Sequence, residues 1–181
     1  MAHFEKTLDS KDIFRGRILH VTLDRVELED GSESMREVVR HPGGAAVLPL
    51  TEEGEVCLVR QFRYAYGREL LEIPAGKLEP GEDPQAAALR ELEEECGLRA
   101  GRVEDLGAIY PSVGYVDEVI HIYLARDLIP VEARPDQGEF VTLERRSLEE
   151  LADMALAGTL RDAKTVTAVL KTVLRLKGEE V

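Results

Sequence analysis

The 181-residue chain has the length of one domain with at most a modest appendage, enough to bury a core without disulfides or a structural metal. Its 36 acidic against 23 basic side chains leave a formal net charge of −13, which excludes the basic stripe needed at a nucleic-acid backbone or an anionic membrane surface. No apolar run approaches the roughly 18 residues of a spanning helix, and the first ten residues are charged and polar where a leader needs an apolar stretch, so the expectation is a soluble, cytoplasmic protein with no nucleic-acid or membrane partner.

Between Gly16 and Leu28 apolar residues alternate with polar ones, and Glu29-Asp30-Gly31-Ser32 supplies a turn before Met35 to Val39, the pattern of a hairpin. Ala45 to Leu50 and Val56 to Phe62, either side of Thr51-Glu52-Glu53-Gly54, read as a second pair of strands, joined to the first by His41-Pro42-Gly43-Gly44. Cys57 lies in this apolar run as core filling, and Cys96 lies in a Glu-rich segment. Neither has CxxC spacing, so both read as free thiols of a reducing compartment. The stretch from Gly67 to Pro80 is mixed, with a short apolar piece at Leu70 to Ile73.

Asp83 before Pro84 matches an N-cap with a first-turn proline, and Gly97 matches the glycine that stops a helix, which predicts a helix over 84–96. Strands follow over 102–109, 119–124 and 140–143, with the polar, proline-containing stretch 129–138 as a loop. Ser147-Leu148-Glu149-Glu150 is a capping-box pattern opening one helix, and Ala163, Val166, Val169, Leu170, Val173 and Leu174 recur at helical spacing within 161–177. This irregular order predicts an α+β protein with a mixed sheet covered by helices, not a doubly wound series.

On the predicted helix 84–96, Glu91, Glu94 and Glu95 share one face, and Ala88, Leu89, Leu92 and Cys96 form the apolar face opposite. Three like charges near the negative end of a helix dipole repel one another and raise some of their pKa values. A divalent cation offsets this, and hard carboxylate oxygens suit Mg²⁺ or Mn²⁺, while Arg90, four residues before Glu94, adds an orienting ion pair. On residue types alone, a solvated acidic face with ordinary Glu–Arg pairs is the equal alternative.

The stretch from Gly76 to Leu98 resembles the Nudix hydrolase signature, G-x5-E-x7-R-E-U-x-E-E-x-G-U with U aliphatic. Gly76, Glu82, Arg90, Glu91, Leu92, Glu94, Glu95, Gly97 and Leu98 meet every specified position. The resemblance implies an α/β/α sandwich with a mixed central sheet, and Mg²⁺- or Mn²⁺-dependent hydrolysis of a nucleoside diphosphate linked to another group. It implies metal ligation by Glu91, Glu94, Glu95 and the backbone carbonyl of Ala75, with Glu82 joining through water or by supporting the ligands. A pyrophosphate linkage repels hydroxide, and two or three cations per site neutralise it, polarise a phosphoryl oxygen and activate water.

Val59-Arg60-Gln61-Phe62-Arg63 and the run from Arg68 to Gly76 are similar to the lead-in of the ADP-ribose pyrophosphatase and nucleotide-sugar branch, a similarity covering roughly residues 44 to 151. That branch implies Arg63 on the substrate's phosphates and Glu72 beside the nucleotide, whereas Arg60 and Arg68 read as solvated surface. Tyr110 to Glu118 resembles a loop that in ADP-ribose enzymes reads Ser-Pro-Gly followed by an acidic residue, which makes Glu118 substrate-binding. Val113 stands at the marker proline, so a hexose nucleotide such as ADP-glucose or GDP-mannose stays beside ADP-ribose, and Tyr115 either stacks on a base or fills the loop's underside.

Asp136 to Val141 resembles the family's Gly-Glu-Phe segment. It gives Glu139 the role of metal ligand or general base, with Asp136 as understudy and a strand-initiating surface glutamate as the alternative. His20, His41 and His121 lack zinc-ligand spacing, and His41-Pro42 reads as a turn. Residues 1–43 are expected to be a β-hairpin extension that reaches across a homodimer, and 44–181 the hydrolase domain. The expected activity is Mg²⁺-dependent cleavage of ADP-ribose or a related nucleotide sugar to a nucleoside monophosphate and a sugar phosphate. A Nudix-fold module that binds a nucleotide without cutting it is the alternative from another class, and a nucleoside triphosphate or cap-like substrate a third.

Overall fold

The computed structural model describes residues His3–Arg134 and Phe140–Glu179. In chain order the strands are β1 (Lys6–Arg15), β2 (His20–Glu27), β3 (Glu33–Arg40), β4 (Gly44–Pro49), β5 (Glu55–Arg63), β6 (Arg68–Glu72), β7 (Ala75–Lys77), β8 (Leu98–Ile109), β9 (Ile120–Pro130) and β10 (Val141–Ser147). The helices are α1 (Pro84–Cys96), α2 (Leu148–Leu156) and α3 (Ala163–Glu179). The residues up to Gly43 form one compact unit with Tyr110–Val119, and Gly44–Ile109 with the chain from Ile120 onward forms the other.

In the first unit β1, β2 and β3 make an antiparallel sheet in that order. The expected hairpin is β2–β3, closed by Leu28 N–H on the Ser32 carbonyl and by Asp30, whose carboxylate accepts from both the Ser32 N–H and its hydroxyl. The strand β1 is absent from the sequence expectation. Its side chains are almost all exposed, so no apolar alternation marks it. It is held by its ladder to β2 and by the Ser10 hydroxyl, which donates to the buried Asp24 at 2.6 Å. The loop Tyr110–Val119 is stitched to β3: Val39 N–H donates to the Tyr115 carbonyl, Asp117 N–H to the Val39 carbonyl, and the Asp117 carboxylate accepts from Arg40 and from the His41 N–H.

In the second unit β7-β4-β9-β8 form a mixed sheet, parallel only between β4 and β9, and β10-β5-β6 an antiparallel one. The expected pairing of 45–50 with 56–62 as one hairpin is corrected here. The two meet only at a Leu50/Val56 bridge and a Thr51 N–H to Glu55 carbonyl bond, then diverge into different sheets. Both carry near-continuous apolar runs that are buried on both faces, which suits a central strand in a covered sheet and not one arm of a half-solvated hairpin.

Alternation along β4 divides the core. Ala46 and Leu48 join Ile122, Leu124, Leu58, Leu151, Ala168 and Val169 beneath α2 and α3. Ala45 and Val47 join Ala87, Ala88, Leu92 and Cys96 of α1. Helices therefore cover both faces, the expected sandwich. The helix α1 begins and ends where its caps predict: Asp83 accepts from the Ala86 N–H, and Gly97 takes the left-handed conformation at φ 63° with its N–H on the last turn's carbonyls. Cys57 and Cys96 are buried free thiols, and burial pushes both thiol pKa values up. Among the described residues no helix is long and apolar enough to cross a membrane.

The last helix departs from its apolar pattern at its ends. Val169 is buried and Val166 and Val173 pack on the core as the spacing expects, but Ala163 and Leu174 are exposed, and Lys164, Thr165, Ala168 and Thr172, off the expected stripe, are buried. The physical reason is at its start, where polar groups take up the buried Lys164 and Thr165.

Candidate active site

The helix α1 and the short strand β7 set the geometry of the carboxylates. Glu95 is 5% exposed and its Oε2 accepts the Ala75 N–H at 3.0 Å. Glu91 lies against Gly76 so closely that a Cβ on that glycine would stand 1.7 Å from Glu91 Oε1. Arg90 gathers the rest. Its Nη1 donates to Glu91 Oε1 at 2.8 Å and to Glu94 Oε2 at 2.9 Å, and its Nε donates to Glu82 Oε1 at 3.1 Å. The expected Arg90–Glu94 pair is thus one arm of a four-residue cluster that reaches back to the loop before α1. Glu82 also accepts the Glu79 N–H at 2.9 Å, and Arg90 chiefly, then this bond, holds its carboxyl below the usual range.

In this arrangement Arg90 supplies the offset to carboxylate repulsion that the sequence expectation assigned to a cation. Among the described residues no three potential ligands converge as a ready-made metal cage. The donor set nevertheless fits a hard divalent cation in kind. Four carboxylates stand on one stretch of chain, and the glycine opposite Glu91 leaves room for oxygen where any other residue would fill it.

Arg63 and Glu72, expected to meet phosphate and nucleotide, are found bound to each other. Nε and Nη2 of Arg63 donate to the two Glu72 oxygens, each at 2.7 Å, and Lys164 Nζ also donates to Oε2. Glu72 is 1% exposed. Burial alone would push its carboxyl up, but the Arg63 hydrogen bonds and the Lys164 charge more than reverse this and hold it below the ordinary value. Because the folded value is depressed, the carboxylate's stabilisation is fully present above the ordinary glutamate pKa of about 4.3 and is lost as pH falls through the folded value. Glu72→Gln is expected to lower unfolding free energy at pH 7 by about 3 kcal/mol, since the buried Lys164 ammonium and the half-exposed Arg63 guanidinium lose their counter-charge, and to flatten its decline below pH about 4.3. Urea unfolding at a series of pH values checks this; a decline as steep as the parent's would remove Glu72 from the account.

Arg60 departs from its expectation as solvated surface. It is half-buried and bonded to Glu144 across the β5–β10 ladder, whereas Arg68 is exposed as expected. Glu118 belongs to the first unit, 3.4 Å from His41 Nδ1, on the loop where Val113 and Tyr115 are exposed. Glu139 and Asp136 lie outside the described residues. Sequence reasoning missed Asp162, Lys164 and Thr165. Their one local signal is an Asp three residues before a Thr at a helix start, where the Asp162 carboxylate accepts the Thr165 N–H at 3.0 Å.

Residues 40–169 match the model of the NUDIX domain, and residues 5–39 match that of the nucleoside diphosphate sugar hydrolase N-terminal domain. The chain is 42% identical over 167 residues to an ADP-ribose pyrophosphatase of Bacillus subtilis, covering 91% of this chain and 90% of that protein. It is 44% identical over 167 residues to a methanol dehydrogenase activator of Bacillus methanolicus, with the same coverage of 91% and 90%. Among solved structures, that of an ADP compounds hydrolase superposes with a TM-score of 0.84 at 25% identity, covering 97% of this chain and 95% of the other.

Proposed function

This chain belongs to the Nudix family, and on that premise we propose that it hydrolyses the pyrophosphate bond of ADP-ribose or a related nucleoside diphosphate sugar, releasing a nucleoside monophosphate and a sugar phosphate. The observation that carries the reading is the complete carboxylate set, Glu82, Glu91 and Glu94 around Arg90 and Glu95 on Ala75. A module that only binds nucleotide has no use for so many buried or half-buried acids in one place, each costly to desolvate.

Nudix hydrolases need a divalent metal. Mg²⁺ or Mn²⁺, two to three ions per site, is our reading here, supported by the all-oxygen donor set. Bound there, the metal supplies charge neutralisation at the phosphoryl oxygens and lowers the pKa of the attacking water. Glu91, Glu94 and Glu95 with the Ala75 carbonyl are the residues that would hold it, and Glu82 supports them. Arg90, through its hydrogen bonds to Glu82, Glu91 and Glu94, orients three of the carboxylates before the metal is in place. Arg63, held by Glu72 along its Nε–Nη2 edge, would meet phosphate through its remaining Nη hydrogens, and Glu118 would contact the nucleotide sugar. Glu139 takes the proton of the attacking water, a role assigned from the similarity of its segment to the family's. In the same reading the strand extension, residues 1–43, reaches a second copy in a homodimer, and the two free thiols suit the reducing cytoplasm.

The test is a panel of ADP-ribose, ADP-glucose, GDP-mannose and a dinucleoside polyphosphate, each with Mg²⁺ and with Mn²⁺, compared by kcat/KM. ADP-ribose or one of the hexose nucleotides is expected to lead. Preference for the polyphosphate would move the chain to another branch, and no turnover of any of them would leave a binding module.

A further inference from the structure

The turn between β6 and β7 is fixed by three backbone bonds to three different elements. The Ile73 N–H donates to Thr165 Oγ1 of α3 at 2.9 Å, the Pro74 carbonyl accepts from Val47 N–H of β4 at 3.0 Å, and the Ala75 N–H donates to Glu95 of α1 at 3.0 Å. On the α3 side a polar chain continues. The Thr165 hydroxyl donates to Asp162 Oδ2 at 2.5 Å, Asp162 Oδ1 holds the Lys164 ammonium at 2.9 Å, and Lys164 returns to Glu72, the residue before Ile73. Lys164 is 8% exposed and Thr165 fully buried, beside a helix face that packs Ala168 and Val169 into the core.

Burying an ammonium and a hydroxyl here carries a desolvation cost that apolar residues of the same size would avoid, so packing does not account for them. Each side chain bonds Asp162 on its own helix and one of the two residues that lead into the carboxylate site, Lys164 to Glu72 and Thr165 to Ile73. Arg63, on the same Glu72 carboxylate, also feels the charge of Glu95. We propose that Lys164 and Thr165 are positioning residues: they clamp Glu72-Ile73 to the start of α3, so that Ala75 and Gly76 arrive in register with Glu95 and Glu91. Packed helices and strands then transmit the placement with little slack, because interiors are close-packed. This rests on the reading of Glu91 and Glu95 as metal ligands given above.

Thr165→Val keeps the side-chain shape and removes the oxygen. Binding of Mn²⁺ alone, with no nucleotide, followed by calorimetry, is expected to weaken about tenfold or more, the size of effect seen for groups that orient metal ligands. In the turnover assay kcat falls while KM for the nucleotide sugar moves little. Thr165→Ser, which restores the acceptor, is expected to recover most of the Mn²⁺ affinity, and Lys164→Met to resemble Thr165→Val. A folded Thr165→Val protein with the parent's Mn²⁺ affinity overturns the proposal.

Amide exchange in the unmodified protein tests the same clamp without a variant. The Ile73 and Ala75 amides are expected to exchange through a common opening, and rapid exchange of Ala75 while Ile73 stays protected would overturn it. If the parent turns over no nucleotide sugar, the proposed activity falls, and the Mn²⁺ ratio between Thr165→Val and parent still decides the role of α3.

Discussion

Glu95→Gln is expected to remove most turnover and leave the fold standing. Glutamine has the same length and keeps an oxygen to accept the Ala75 N–H, so the bond that ties α1 to β7 at 3.0 Å survives, and what is lost is the charge. If that charge holds a cation, its loss costs kcat about a hundredfold or more, because even groups one step removed from a metal cost 10–100-fold. Glu94→Gln follows the same logic, since its amide oxygen still accepts from Arg90, which also keeps Glu82 and Glu91. The internal control is Glu93, one residue away on the same helix, which pairs with Arg99 at the exposed edge. Glu93→Gln should leave kcat unchanged. The measurement is kcat across a metal titration beside thermal unfolding. Near-parent turnover in both Glu94→Gln and Glu95→Gln would take these carboxylates out of the chemistry, and a collapse of all three variants would show a helix defect instead.

How much of this was legible depends on how local the deciding interaction is. The helix α1 was readable to the residue because Asp83, Pro84 and Gly97 are caps, and caps act within one turn. The Arg90–Glu94 pair followed from helical spacing alone. The divergence of β4 and β5 was not readable, because a short turn between two apolar runs looks the same whether the strands pair with each other or with β9 and β10, far along the chain. The strand β1 escaped because it is exposed on nearly every residue and owes its place to a ladder rather than to burial. The inward turn of α3 escaped for the opposite reason. Lys164 and Thr165 carry the composition of a solvated face, and their distant partners Glu72 and Ile73, some 90 residues earlier, complete with Asp162 the bonds that make burial tolerable. Arg63 and Glu72 were both singled out, but spacing could not show that the first partner of each is the other.

The two signature glycines should fail in different ways when a methyl group is added. At Gly97 the backbone is left-handed, φ 63°, and the new Cβ would stand 2.9 Å from the Val131 carbonyl oxygen, which is backbone and cannot swing aside. Gly97→Ala is therefore a stability change, costing about 1–3 kcal/mol. Gly76 has no left-handed strain to relieve, and the three atoms nearest its new Cβ would all belong to the Glu91 side chain, at 1.7 Å from Oε1, 2.2 Å from Cδ and 2.9 Å from Cγ. A side chain can rotate away, so Gly76→Ala should fold. The rotation, however, takes Glu91 off β7 and away from Arg90, its partner at 2.8 Å. A misplacement on the order of 1 Å at a catalytic group costs about a hundredfold, and that is the loss of kcat expected here, together with weaker Mn²⁺ binding. Unfolding midpoints and Mn²⁺ affinity measured on both variants separate the cases. Gly97→Ala should lose midpoint and keep its affinity when folded, and Gly76→Ala the reverse. If Gly76→Ala instead loses its midpoint and keeps full Mn²⁺ affinity, the close approach of Gly76 to Glu91 serves packing alone, and Glu91 does not belong to the site.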